Sequence, residues 1–201
     1  MLRNLDQKIG KTAVRKAYLA QRTEFVKNSH ARLFAINAAI SKNVLDLLKN
    51  KKPSLIATYS PLKEEADPNG FQQFLPDCSF AYPSVDGPNL LFWVPHGQLE
   101  MDPTAWRVGP FGIQEPDPQK SKQVQIDDCD FILVPGVSFD RCGRRVGYGK
   151  GFYDRALGKA SKLRIGICFS VQLSQEPLPY GEGDVKMDWI VTENSMQECV
   201  D

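Results

Sequence analysis

Residues 134–154 read VPGVSFDRCGRRVGYGKGFYD, and the reading of the whole chain works outward from them. They follow a short apolar run, FILV at 131–134, that has the length and composition of a buried strand. Pro135-Gly136 ends that strand, and the stretch runs on into GFYDRALGKA, which has the look of a helix from 151 to about 160. Strand, loop and helix in succession are the repeating unit of layered α/β folds. Four of the nine positions from Gly143 to Gly151 are glycine, in a chain that holds only 15 glycines, so the loop is specialised. Alternate glycines at Gly147, Gly149 and Gly151 remove every second side chain, and backbone N–H groups can then approach a ligand closely. Such a run can form a nest, a concavity that binds anions.

Between 140 and 155 stand Asp140, Arg141, Arg144, Arg145, Lys150, Asp154 and Arg155, a local charge of +3 in a chain whose net charge is +1. The start of the following helix adds its positive end to the same field. The pattern describes a phosphate cradle: backbone donors for geometry, Arg and Lys for charge, and Asp154 placed to meet a metal ion that rides on the phosphates. Gly-x-Gly-x-Gly alone also describes an ordinary glycine-rich turn. Two familiar alternatives are excluded. Lys150 is followed by Gly151 and not by Ser or Thr, so this is no P-loop. A dinucleotide fingerprint would need glycine at 152, where Phe152 stands.

At 201 residues the prior is one domain spanning 1–201. Hydrophobic content of 42% and charged content of 24% are those of a soluble globular protein. A net charge of +1 argues against a nucleic-acid partner or an acidic membrane surface, so any anion site must be local. No apolar run approaches the ~20 residues that span a bilayer. The five cysteines are odd in number and form no Cys-x-x-Cys pair, and no signal peptide is visible. They read as free thiols in a reducing, cytoplasmic compartment. His30 and His96 are too few and too isolated for a His-based metal site.

The remaining chain alternates helix and strand. Residues 5–27 and 29–49 read as amphipathic helices, the second with Ser29 as a plausible N-cap. Strands are expected at 54–59, 78–85, 89–95, 131–134, 163–169 and 189–192, a short helix at 69–75, and a polar surface loop at 117–128. Residues 99–118 show no clean period. The expectation is an α/β fold: a single-domain layered α/β/α architecture with a mostly parallel sheet.

Several residues stand out within this frame. Lys11 and Arg15 are four apart and share a helix face, where like charges repel unless an anion sits beside them. The segment SPLKEEADP after the first strand lies where open α/β sheets place ligands. Its acids, Glu64, Glu65 and Asp67, are read either as ligand contacts or as caps of the helix at 69–75. Trp93 and Trp106 are core residues or stacking platforms. Glu115, in FGIQEP, has no role derivable from sequence, a structural ion pair or loop cap and a substrate contact being equal readings. Asp188, just before the last strand, is a loop residue or an acid of the site.

The runs VPGVSFD at 134–140 and RVGYGKGFYD at 145–154 closely resemble the signature of the 5-formyltetrahydrofolate cyclo-ligase family, also called methenyltetrahydrofolate synthetase. FGIQEP at 111–116 is a second phrase of the same kind. The resemblance implies an ATP- and Mg²⁺-dependent enzyme that closes 5-formyltetrahydrofolate to 5,10-methenyltetrahydrofolate, releasing ADP and phosphate, and working as a cytoplasmic monomer. It implies that Lys11, Arg15, Arg145, Val146, Gly147, Tyr148, Gly149, Lys150, Gly151, Phe152 and Tyr153 hold the nucleotide, with Arg145 and Lys150 catalytic. It places Ser60, Glu65, Phe152 and Tyr153 on the folate side, with Glu64 next to Glu65 as an alternative, and Asp154 and Asp188 on the metal. Two other readings stay open: a non-catalytic nucleotide- or folate-binding regulatory module on the same scaffold, and an enzyme of a related sugar-phosphate isomerase or acyl-transferase fold that needs no ATP.

Overall fold

A long helix opens the chain: α1, Leu2–Asn28, rich in Lys, Arg, Gln and Ala, which favour helix. The computed structural model describes residues 2–96, 102–158 and 160–200, and of residues 2–9 only the backbone. After a short 3₁₀ turn at His30–Arg32 comes α2, Leu33–Leu48. Ser29 stands before that turn, but its side chain makes no capping hydrogen bond. Ile40, Val44 and Leu48 recur every four residues on α2 and are fully buried.

The strands are β1 Leu55–Ala57, β2 Ser79–Asp86, β3 Asn89–Pro95, β4 Trp106–Val108, β5 Gln114–Pro116, β6 Ser121–Val124, β7 Phe131–Pro135, β8 Ser138–Asp140 and β9 Arg145–Val146. Helix α3, Phe152–Leu157, follows, and then β10 Leu163–Ile167, β11 Leu173–Ser174, β12 Trp189–Val191 and β13 Met196–Glu198. Eight of them form one sheet in the order β13-β12-β10-β7-β1-β2-β3-β6. From β12 to β2 the neighbours are parallel, and the edges add β13, β3 and β6 antiparallel.

Alternation along the strands sorts the core into two faces. Ile56, Phe80, Phe131, Leu133, Ile165 and Val191 pack with the buried face of α2. Ala57, Ala81, Ile132, Val134 and Ile190 pack on the other side, with Leu157 of α3 and Phe139 of β8. The expected α/β/α layering holds, with one thick helical layer and one thin one. The thin layer is α3 together with the small sheet β11-β8-β9.

Three local expectations are corrected. The loop at 117–128 contains an edge strand, β6, that pairs with β3; its Lys122 and Gln123 face water, so no apolar alternation announced it. The helix expected at 69–75 is a 3₁₀ helix, Asn69–Phe74. The helix expected at 151–160 is confined to Phe152–Leu157, with residue 159 outside the described residues. Residues 99–101 of the aperiodic stretch also lie outside them, and the rest of that stretch forms the hairpin β4–β5. Among the described residues no helix is long and apolar enough to cross a membrane.

Candidate active site

Beyond the carboxyl ends of β1 and β7, where parallel sheets of this kind leave a crevice, lies a cleft of about 770 Å³. Lys11 and Arg15 of α1, Ser60 and Glu65 after β1, and every residue from 145 to 154 wall it. Stretches more than a hundred residues apart in sequence therefore meet in one cavity.

The loop that carries the glycines is shaped by Asp140, which is only 2% exposed. Its carboxylate accepts the N–H groups of Cys142 at 2.9 Å, Arg144 at 3.0 Å and Leu178 at 2.7 Å. This hub turns the chain back into β9 and delivers Arg145 and the glycine run to the cleft. Gly149 has φ +93° and Gly151 φ +68°, a region that side-chain-bearing residues rarely adopt. A Cβ on Gly149 would stand 3.1 Å from the Arg15 guanidinium. Among the described residues no acceptor meets the backbone N–H groups of Tyr148, Gly149, Lys150 and Gly151. They remain available as donors, as a nest requires. The six-residue α3 adds only a weak end dipole, less than the longer helix expected from the sequence would supply.

Cations and acids alternate at this end. Arg145 Nη2 donates to Asp154 Oδ1 at 2.8 Å, its side chain 5% exposed. Its guanidinium lies 5.6 Å from the centre of the Tyr153 ring. Arg15 Nε donates to the Gly147 carbonyl at 2.8 Å, and so ties α1 to the glycine loop. Lys11 is ion-paired with Asp184. Lys150 is exposed and, among the described residues, has no acidic partner.

The middle of the cleft holds a polar chain. Arg22 Nη2 donates to the Tyr148 hydroxyl at 2.8 Å, and Tyr148 lies beside Glu65. Glu65 Oε2 also accepts the Leu62 N–H at 2.9 Å. Burial raises the Glu65 carboxyl above its ordinary value of 4.5, and the Leu62 N–H, Arg22 and Tyr148 hold it back. Burial and the nearby Glu65 push the Tyr148 phenol up to about 12. Beyond Glu65 the wall turns apolar, with Pro83, Val85, Leu90, Phe111 and Ile113. Phe111 meets Phe152 edge-on at 6.1 Å.

The structure separates the sequence candidates. Glu65 lines the cleft, whereas Glu64 accepts from the Thr23 hydroxyl at 2.6 Å and does not. Asp67 caps the 3₁₀ helix through the Asn69 N–H at 3.0 Å. Trp93 donates to the Ser84 hydroxyl at 2.9 Å and Trp106 packs edge-on to Tyr82 at 4.8 Å, so neither is a stacking platform of the cleft.

Asp188, expected beside Asp154, is not among the cleft walls. Its Oδ2 takes the Arg164 N–H at 2.7 Å and Nε at 2.9 Å, and its Oδ1 takes Nη2 at 2.9 Å, which occupies both oxygens. The cleft acid is Asp184, four residues earlier in the same DVKMD phrase. Arg22 was also missed. It is 3% exposed, with Nε and Nη1 unpartnered among the described residues. Its signal was present: positions 11, 15 and 22 fall within roughly 40° of one another on a helix of 3.6 residues per turn.

Comparison with known proteins follows the same lines. Residues 7–193 match the model of the 5-formyltetrahydrofolate cyclo-ligase family. A Schizosaccharomyces pombe protein described as a probable 5-formyltetrahydrofolate cyclo-ligase is 35% identical over 98 residues, 42% of this chain and 48% of its own length. The 5-formyltetrahydrofolate cyclo-ligase of Saccharomyces cerevisiae is 33% identical over 140 residues, 61% of this chain and 63% of its own length. The chain thus spans about half to two thirds of the length of these curated relatives. The NMR structure of Aquifex aeolicus 5,10-methenyltetrahydrofolate synthetase superposes with a TM-score of 0.78 at 34% identity, covering 95% of this chain and 93% of that one.

Proposed function

This chain belongs to the 5-formyltetrahydrofolate cyclo-ligase family, and from that premise we propose that it converts 5-formyltetrahydrofolate and MgATP to 5,10-methenyltetrahydrofolate, ADP and phosphate. The observation that carries the reading is the polarity of one cleft: four cations and an open run of backbone donors at one end, an apolar wall with carboxylates at the other.

The chemistry needs such a cleft. A formyl amide oxygen is a poor leaving group and N10 is a weak nucleophile. Transfer of the γ-phosphoryl group forms a new P–O bond to the formyl oxygen as the β,γ-bridge breaks and ADP departs. N10 then attacks the activated formyl carbon, the C–O bond breaks, and phosphate leaves with that oxygen. N10 loses its proton to water, and the ring closes as a cation. The protein's part is positioning and charge compensation, with little covalent work.

Arg145 and Lys150, with the N–H groups of 148–151, would hold the terminal phosphates. Lys11 and Arg15 would close on them from α1. Asp154 and Asp184 are the acids that would hold Mg²⁺, which supplies charge compensation on the phosphates. Two carboxylates suit an ion whose other ligands are phosphate and water, and their present partners, Arg145 and Lys11, are the cations that phosphates would draw off. Ser60, Glu65, Phe152 and Tyr153, which wall the same cleft, would meet the folate. All these groups come from one chain, which supports a monomer as the working unit, and five unpaired cysteines support a reducing compartment.

The test is ADP release measured with and without 5-formyltetrahydrofolate, alongside the absorbance of the methenyl product. Folate-dependent ADP release matched by product is the expected result. Nucleotide binding without turnover would favour the regulatory module, and folate turnover without ATP would remove the phosphoryl-transfer reading.

A further inference from the structure

Phosphoryl transfer leaves one side chain of the cleft unused. Glu115, on β5, lines the cleft at its apolar end and is only 4% exposed. Its Oε1 accepts the Val85 N–H at 3.2 Å. Its Oε2 is closed off from solvent and, among the described residues, has no hydrogen-bond partner. Arg107, across the β4–β5 hairpin, comes no nearer than 4.0 Å and has a half-exposed side chain. Gly109 covers the carboxylate without a side chain, since a Cβ there would stand 2.3 Å from Glu115 Cδ. Burial raises the carboxyl above its usual range, and the Val85 N–H and Arg107 only partly oppose this.

Buried carboxylate oxygens in folded proteins normally have their partners. One left without a partner just behind a cavity wall is an acceptor that a small turn of the side chain brings to a donor the chain itself does not supply. The wall around it, Val85, Leu90, Phe111 and Ile113, suits the faces of a flat heterocycle. A ligand that satisfies both features is planar, largely apolar on its faces, and carries N–H donors along one edge.

The pterin of the substrate proposed above has such an edge, formed by its 2-amino group and N3–H. Resting on that reading, we propose that Glu115 is the specificity residue of the cleft: with the carboxyl turned toward the bound ring, Oε2 accepts one of these N–H groups, and Oε1, through its second lone pair, accepts the other. The pterin then lies against the apolar wall with its formyl-bearing side toward Arg145 and Lys150. The donor edge is read at the hairpin, remote from the phosphates, so this contact sets which heterocycle enters and contributes little to the transfer step itself.

The experiment compares 5-formyltetrahydrofolate with its 2-desamino-2-methyl analogue on the full chain and on Glu115→Gln. The wild-type protein should bind the analogue about 10- to 100-fold more weakly than the substrate, the scale of losing hydrogen bonds to a charged acceptor. Glu115→Gln should raise KM for the substrate by a similar factor, leave kcat and the KM for ATP within about threefold, and raise the KM for the analogue, which keeps only the N3–H donor, by a clearly smaller factor. Equal weakening of both ligands would mean that Glu115 merely anchors the hairpin to Val85, and would overturn the proposal. Equal binding of the two ligands by the wild-type protein would overturn it without any variant. Wild-type protein that does not turn over 5-formyltetrahydrofolate at all would instead overturn the reading on which the proposal rests.

Discussion

Replacing Arg145 by alanine removes a guanidinium that does two jobs in the cleft. It neutralises Asp154 at 2.8 Å and, on the function proposed above, would meet the phosphates of the nucleotide. Breaking a fully buried ion pair by deleting one partner costs about 3–5 kcal/mol. Here the Arg145 side chain is 5% exposed but Asp154 is 27% exposed, so water partly solvates the orphaned carboxylate. That discount brings the expected loss to about 2–3 kcal/mol. For a chain of this length it corresponds to a fall of roughly 4–12 °C in Tm. Loss of one charge-stabilising group should also lower kcat by about 10²- to 10³-fold. Thermal unfolding and the coupled ADP-release assay read the two effects separately. Arg145→Lys retains the charge without the planar fork, so it should recover part of the stability and little of the turnover. Adding Asp154→Asn to Arg145→Ala should restore stability, because the uncompensated charge is then gone. A folded Arg145→Ala protein melting within about 1 °C of wild type and turning over within about threefold would refute this account of the pair.

Glu65→Gln should raise Tm at neutral pH. Burial lifts the folded-state carboxyl above 4.5, so the folded chain binds that proton more tightly than the unfolded chain. Stability therefore falls as pH rises from 4.5 through the raised value, and wild type bears the full cost above it. The gap between wild type and variant should close on acidification below 4.5, and a gap independent of pH would contradict the assignment. Arg22→Leu should shift the acid limb of the kcat/KM profile upward, because the Arg22 charge holds the Glu65 carboxyl down. Lower activity with an unmoved limb would mean that Arg22 only packs α1.

The parts of this molecule legible in the sequence are those where local chemistry is unambiguous. The glycine run, its flanking charges and the apolar strands FILV and LRIGICF could take few other forms, and the structure has the cleft and the sheet centre there. Edge strands were harder. β6 and β13 are polar and half wet, so neither carries a periodic signal. The choice between Asp184 and Asp188 was not local at all. Both stand in one five-residue phrase, and only the pairing of β10 with β12, which sets Arg164 against Asp188, shows which acid is already taken. The same holds for Arg22 and Glu115. On α1 Arg22 reads as one more charge of a solvated helix, and in FGIQEP Glu115 reads equally as a structural group or a substrate contact; their burial depends on contacts with Tyr148 and Val85 far along the chain.

The central claim is that the formyl oxygen leaves as part of phosphate. Substrate carrying a heavy oxygen isotope in the formyl group, turned over with unlabelled ATP, tests it in one mass-spectrometric measurement. Transfer of the label into inorganic phosphate, one atom per methenyl product formed, is the predicted result. Label appearing in water, with phosphate unlabelled, would contradict the account.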